Sequence, residues 1–208
     1  MALYEARFFI ILFIVLTLVL IWWYPPMAPI PAALLFFVIY FFRDPERVVP
    51  DDVNAIVSPA DGKVIVVDEI EETYFTKQKM KRVAIFLSVL DVHVNRAPYA
   101  GKILAVQYTP GKFLDARNET VDVQNEAQNW HFQTARGSLV VRQIAGLIAR
   151  RIVAWKNMGD ELSTGERIGM IRFGSRTDLY LPLECEILVK KGDRVQGAST
   201  IIAKWKNL

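Results

Sequence analysis

The sequence predicts a mainly β protein, a compact β-sandwich or barrel-sandwich-like domain, with an N-terminal hydrophobic membrane segment. Three observations predict it. Residues 1–42 carry only Glu5 and Arg7 as charges, whereas all the other acidic and basic residues follow from Arg43 onward. Beyond Arg43 no long amphipathic helical pattern occurs, while short alternating apolar runs recur between glycine-containing turns. The last third also contains an internal echo. Gly159-Asp160-Glu161-Leu162 to Ile168 and Gly192-Asp193-Arg194-Val195 to Ile201 each run Gly, Asp, any residue, aliphatic, polar turn, apolar strand.

The chain divides accordingly into 1–42, a hydrophobic membrane anchor, and 43–208, a water-facing domain. Phe8 to Tyr24 is apolar except for Thr17, and at about 1.5 Å per residue such a run just reaches across a hydrocarbon layer of roughly 30 Å. Pro25-Pro26 ends it. The second run, Met27 to Phe42, contains Pro29 and Pro31, which leaves two readings: a helical hairpin, or one span followed by an interfacial segment. Arg7 before the first run and Arg43 and Arg47 after the second place both ends, and hence the folded domain, on the cytoplasmic side of a cell membrane. Trp22, Trp23 and Tyr24 form an interfacial belt, and no small-residue cleavage site follows, which argues against a removable signal peptide.

After a polar, proline-bearing linker from Asp44-Pro45 to Asp52, the domain opens with Ile56 to Val67. Asp61-Gly62 sits between two β-branched runs there and reads as a hairpin turn. Arg82 to Leu90, Lys102 to Tyr108 and Ser138 to Ile144 read as strands, Gly111 to Gln128 as a mobile polar loop, and Ala145 to Trp155 as either a short helix or a strand. Apolar Ile168, Met170 and Ile171 lead into Arg172-Phe173-Gly174-Ser175-Arg176, and Leu179-Tyr180-Leu181 lead out. A Gly-Ser pair therefore lies where one strand ends and another begins.

Composition excludes several classes of function. The net charge of +3 favours an anionic surface but is too small for a nucleic-acid binder. A single cysteine, Cys185, excludes an internal disulfide and suits a reducing compartment. The only histidines, His93 and His131, have no partners at metal-ligand spacing, so no metal is expected. Phosphate-loop and Gly-x-Ser-x-Gly signatures are missing. What remains is an oxygen nucleophile after a glycine. Ser175 is placed to attack the carbonyl before it, His93 follows a buried strand beside Asn95 and Arg96, and Arg172 and Arg176 flank the pair as candidate phosphate holders.

Taken together, Ser58-Pro59-Ala60-Asp61-Gly62, Asp91 to Pro98, Arg142-Gln143-Ile144-Ala145-Gly146 and Phe173-Gly174-Ser175-Arg176 resemble the phosphatidylserine decarboxylases, in particular the short group that includes the archaetidylserine decarboxylases. The resemblance covers residues 43 to about 205 in consistent order. It implies a proenzyme that cuts itself between Gly174 and Ser175 into chains 1–174 and 175–208, which stay associated. Ser175 becomes a pyruvoyl group, which forms a Schiff base with the amine of a phosphoserine-headgroup lipid, and no other cofactor is required. It further implies that Asp61 assists self-cleavage and that His93 donates a proton after decarboxylation, with Arg172, Arg176, Asn95 and Arg96 as substrate-binding residues. Many members carry a second histidine where this chain has Arg96, which leaves His93, His131 and Asp61 as candidate bases for processing. A membrane anchor suits a lipid substrate, and exposed sandwich edges suit a homodimer. The competing reading is a membrane-anchored lipoyl-like adaptor of a transport complex, which is not an enzyme. Such adaptors usually carry a long helical hairpin that this sequence lacks. A soluble pyruvoyl amino-acid decarboxylase is disfavoured by the apolar N-terminus.

Overall fold

The computed structural model describes residues 1–114, 124–146, 151–172 and 175–206. They form two compact units, Met1–Glu46 and Arg47–Leu208. In the first, a short helix α1 (Ala2–Glu5) precedes α2 (Arg7–Trp23), a 3-10 turn at Pro25–Met27 and α3 (Pro29–Phe41). The prolines of the second apolar run begin α3: Pro29 and Pro31 occupy its first turn, where no backbone N–H is needed. Helices α2 and α3 pack on each other, yet no side chain of α2 is buried. With 17 residues α2 is about 25 Å long, and among the described residues no helix is long and apolar enough to cross a membrane.

The second unit is mainly β, as alternation predicts. Its strands are β1 (Ala55–Val57), β2 (Gly62–Glu72), β3 (Gln78–Leu87), β4 (Val94–Arg96), β5 (Gly101–Thr109), β6 (Ala127–Thr134), β7 (Gly137–Ala145), β8 (Ile152–Ala154), β9 (Glu161–Leu162), β10 (Arg167–Ile171), β11 (Ser175–Leu181), β12 (Glu186–Ile187), β13 (Arg194–Val195) and β14 (Ile201–Lys204). Eight of them form one curled sheet in the order β13-β2-β3-β11-β7-β6-β5-β9, and two three-stranded sheets, β1-β14-β12 and β4-β10-β8, accompany it. The main core lies between the large sheet and the small ones. Val83, Ile85, Leu87, Trp130, Phe132, Leu139, Val141, Leu179 and Leu181 come from one side, and Ile56, Ile168, Ile202 and Ala203 from the other. Period-two alternation sends Met80, Val140 and Tyr180 to the opposite face, where they make a smaller cluster with Ile70 and Phe75.

The internal echo is structural, and it reaches further than the last third. Asp160 Oδ2 accepts the Asn157 N–H at 2.9 Å, and Asp193 Oδ2 accepts the Lys190 N–H at 3.0 Å. Gly159 (φ +97°) and Gly192 (φ +104°) open the two turns, and Gly165 (φ +79°) and Ala198 (φ +66°) close them. Each turn caps an equivalent strand: Gly159 N–H bonds Ile103 and Gly192 N–H bonds Val64, both at 2.8 Å. Behind them Ser58-Pro59-Ala60-Asp61-Gly62-Lys63-Val64 matches Ala97-Pro98-Tyr99-Ala100-Gly101-Lys102-Ile103, down to a bulge just after Val64 and just after Ile103. The domain is thus two similar halves.

Two expectations are corrected, those for Asp61-Gly62 and for 111–128, while the strand alternative for Ala145 to Trp155 is borne out by β8. Asp61-Gly62 does not make a hairpin, because β1 pairs with β14 while β2 pairs with β3 and β13; glycine is needed for φ +151° and for the close approach of the Phe86 carbonyl. Ala145 to Trp155 contains the end of β7 and all of β8, with 147–150 outside the described residues. The region 111–128 is not all loop: Lys112 bridges Asn125 and β6 starts at Ala127, while 115–123 lie outside the described residues.

Candidate active site

Ser175 is the first residue of β11, the strand held on both sides by long antiparallel neighbours. It pairs with Leu87 of β3 and with Ala145 of β7. Alternation places Ser175, Thr177, Leu179 and Leu181 on the core face of β11. Ser175 is fully buried, and its Oγ has no hydrogen-bond partner among the described residues. A buried hydroxyl without a partner is uncommon because desolvation goes uncompensated, and such groups gather where chemistry occurs. Gly174, the other half of the predicted cleavage site, lies outside the described residues.

His93 enters through the small sheet. β4 pairs with β10, and the Ile171 N–H donates to the His93 carbonyl at 3.3 Å, which brings the histidine beside the strand end that leads to Ser175. The ring is buried, and Nδ1 lies 2.9 Å from the Asp91 carbonyl. A carbonyl only accepts, so Nδ1 carries the proton and, in the neutral ring, Nε2 is the basic nitrogen. Asp91 is itself fixed: its carboxylate accepts from the Ser88 N–H and Oγ and binds Arg194 at 2.8 Å. Next to Ala145 and Ile171, Phe113 and Ile152 complete a small apolar cluster.

Asp61 faces Arg47, 2.6 Å away, and accepts the Gly197 N–H at 2.9 Å. Burial, the largest influence, raises its carboxyl above the ordinary value of 3.8 against the pull of these partners, which makes it a stronger base. Arg47, read from sequence as a membrane-flanking charge, is a partner of this carboxylate. Asn95 is fully buried and bonded to Gln143, while Arg96 Nη1 donates to the Gly165 carbonyl at 3.1 Å. Arg172 is partly buried where β10 ends, with its N–H on the Arg151 carbonyl.

Arg176 departs from the expectation of a phosphate holder. Alternation turns it to the face of β11 away from Ser175, where it is fully buried and grips Asp178 with two bonds of 2.6 and 2.7 Å. Arg82 approaches Asp178 at 4.0 Å and binds Asp68 at 2.6 Å, and Arg142 stacks over Tyr74 and bonds Asn129. His131 is also remote: it lies on the same outer face, stacked on Phe75 at 5.2 Å. Sequence reasoning assigned no role to Asp178 or Gln143. For Gln143 a signal existed, since it is the polar residue in the inward phase Leu139, Val141, Gln143, Ala145.

Comparison with known proteins agrees with this geometry. Residues 34–203 match the family model for phosphatidylserine decarboxylase. Relatives named phosphatidylserine decarboxylase proenzyme include one from Geotalea uraniireducens, 48% identical over 164 residues, spanning 78% of this chain and 76% of the relative. One from Symbiobacterium thermophilum is 49% identical over 166 residues, spanning 79% and 77%. Another, from Desulfotalea psychrophila, is 47% identical over 166 residues, spanning 79% and 78%. These matches replace the adaptor reading with an enzyme. With the site's strands, histidine and buried serine all inside the matched region, the chain belongs to the phosphatidylserine decarboxylase family of carboxy-lyases.

Proposed function

We propose that this chain removes the serine carboxylate of phosphatidylserine, leaving the ethanolamine lipid, after cutting itself between Gly174 and Ser175 to create a pyruvoyl group. The observation that carries the reading is Ser175 itself: the first residue of a central strand, preceded by glycine, buried, and with an uncommitted Oγ among the described residues. In the cut, Ser175 Oγ adds to the Gly174 carbonyl and the C–N bond breaks, giving an ester and an amine. Loss of the Ser175 Cα proton then expels the Gly174 carboxylate, and water displaces ammonia from the resulting imine. His93 and Asp61 are the candidate proton acceptors, one fixed beside Ile171 and the other made more basic by burial.

The pyruvoyl group supplies an electron sink for the bonding pair released with carbon dioxide. The chain's own residues do the rest. His93 Nε2 returns a proton to the substrate carbon, and the apolar cluster of Ala145, Ile171, Ile152 and Phe113 keeps water from the carboxylate. Arg172 and Arg96 offer positive charge to the phosphate, while Arg176 neutralises the buried Asp178 two residues along the same strand. Once cut, chain 175–208 stays in place because β11 is bonded along both edges.

The exposed apolar side chains of α2, including Trp22 and Trp23, support attachment of the protein to the cell membrane, and Arg7 and Arg43 flanking the apolar runs support a catalytic domain on the cytoplasmic side. The headgroup chemistry is equally suited to archaetidylserine, since apolar tail contacts discriminate weakly. Intact-mass measurement tests the proposal. Wild type should give two chains, the smaller beginning with a ketone in place of Ser175, and should release carbon dioxide from phosphatidylserine micelles. Ser175→Ala should remain one inactive chain, and a cut Ser175→Ala protein would remove the serine from its role.

A further inference from the structure

Four buried polar groups form one chain of hydrogen bonds across the apolar core. Trp130 Nε1 of β6 donates to Gln143 Oε1 of β7 at 2.8 Å, Gln143 Nε2 donates to Asn95 Oδ1 of β4 at 2.6 Å, and Asn95 Nδ2 reaches the Pro59 carbonyl at 3.4 Å. The Pro59 carbonyl also accepts the Arg96 N–H at 2.9 Å. The direction of the chain is forced. An indole N–H only donates, so Gln143 must present oxygen to Trp130 and nitrogen to Asn95; Asn95 must then present oxygen to Gln143 and nitrogen to the carbonyl. Reversing either amide sets like atoms against each other.

This chain joins the three parts of the site. Gln143 lies opposite Thr177, two residues along the same face from Ser175. Asn95 is two residues from His93, and Pro59 is two residues from Asp61. In the other half of the domain the position corresponding to Asn95 is Ile56, an ordinary core residue, so the fold itself does not require an amide there. Polar groups in such a core lose solvation and are matched only by a complete network, which then selects one arrangement. We propose that Gln143 is a positioning residue: its amide, oriented by Trp130, holds the His93–Asn95 segment in register with the start of β11. The proposal rests on the reading of Ser175 and His93 given above.

The test uses the full-length protein in detergent, with thermal unfolding, intact mass, and the kcat and KM of carbon dioxide release from phosphatidylserine micelles. Gln143→Leu removes both bonds and should lower kcat by about 100-fold with KM changed less than about threefold, because a shift of roughly 1 Å in a reacting group costs that much. Gln143→Glu keeps the acceptor for Trp130 but has no donor for Asn95 until it is protonated. Its kcat relative to wild type should therefore climb as pH falls, whereas the Gln143→Leu ratio stays flat. Trp130→Phe frees the amide to turn and should lose less than about tenfold. Should Gln143→Leu fail to melt cooperatively, the pH ratio of Gln143→Glu decides. A cut, active wild type with Gln143→Leu turning over within about threefold of it, or a pH-independent Gln143→Glu ratio, overturns this inference alone. An uncut, ketone-free wild type overturns the reading of Ser175 and this inference with it.

Discussion

Asp178→Asn should destabilise the folded domain by about 3–5 kcal/mol, the usual cost of removing one partner from a buried ion pair. The size follows from the local geometry. Arg176 and Asp178 are both fully buried, and two bonds of 2.6 and 2.7 Å close a fork that needs both carboxylate oxygens as acceptors. The one hydrogen bond lost to the charged Arg176 accounts for roughly 1.5–3 kcal/mol of that, and the guanidinium left buried without a full counter-charge for the rest. Asparagine keeps the volume but turns one acceptor into a donor facing a guanidinium, and Arg82 at 4.0 Å loses its second carboxylate. Burial raises the Asp178 carboxyl above its ordinary value, so the three neighbouring guanidiniums, Arg176, Arg82 and Arg142, are what sustain its charge. The assay is urea unfolding of the full chain carrying Ser175→Ala, which should keep it in one piece so that dissociation of cut chains does not enter the transition. Replacing the pair together, Arg176→Met with Asp178→Leu, should recover most of the loss, because Arg82 retains Asp68 at 2.6 Å. A loss below about 1 kcal/mol for Asp178→Asn, or a double variant no better than the single one, would refute the view that Arg176 and Asp178 depend on each other for their burial in β11.

In the same uncut background, His131 should make stability depend on pH. Burial lowers its imidazole below the ordinary 6.5, so as pH falls through that value the unfolded chain binds the proton first and stability declines, with no effect well above it. His131→Gln should remove that part of the slope, read from urea midpoints between about pH 7.5 and 5; an unchanged profile counts against it. Gly62→Ala should cost roughly 2–4 kcal/mol, since its φ is +151° and a Cβ would lie 2.2 Å from the Phe86 carbonyl oxygen. Gly159→Ala, with φ +97° but open space around it, should cost only about 1 kcal/mol, and equal losses at the two sites would show that contact with Phe86 is not what matters.

Several features were legible along the chain because they are local. Short apolar runs in 138–144 and 102–108 marked two strands closely, since runs of that length between turn residues are too short for helices. Ser175 could be found because the glycine, the serine and the apolar runs on either side are contiguous. The Gly-Asp echo was visible in the last third, yet its extension to Ser58–Val64 and Ala97–Ile103 was not, because only proline, glycine and lysine persist there while backbone geometry carries the match.

The sequence by itself determined a mainly β domain behind an apolar N-terminus, and singled out Ser175 as the candidate nucleophile, because composition, period and a short motif need no knowledge of neighbours. Tertiary structure alone decided that β1 pairs with β14 rather than with β2, that Arg176 turns from Ser175 toward Asp178, and that Gln143 meets Asn95. Those outcomes depend on residues far apart in the chain competing for the same buried partners, and such competition is settled only when the sheets close over a common core.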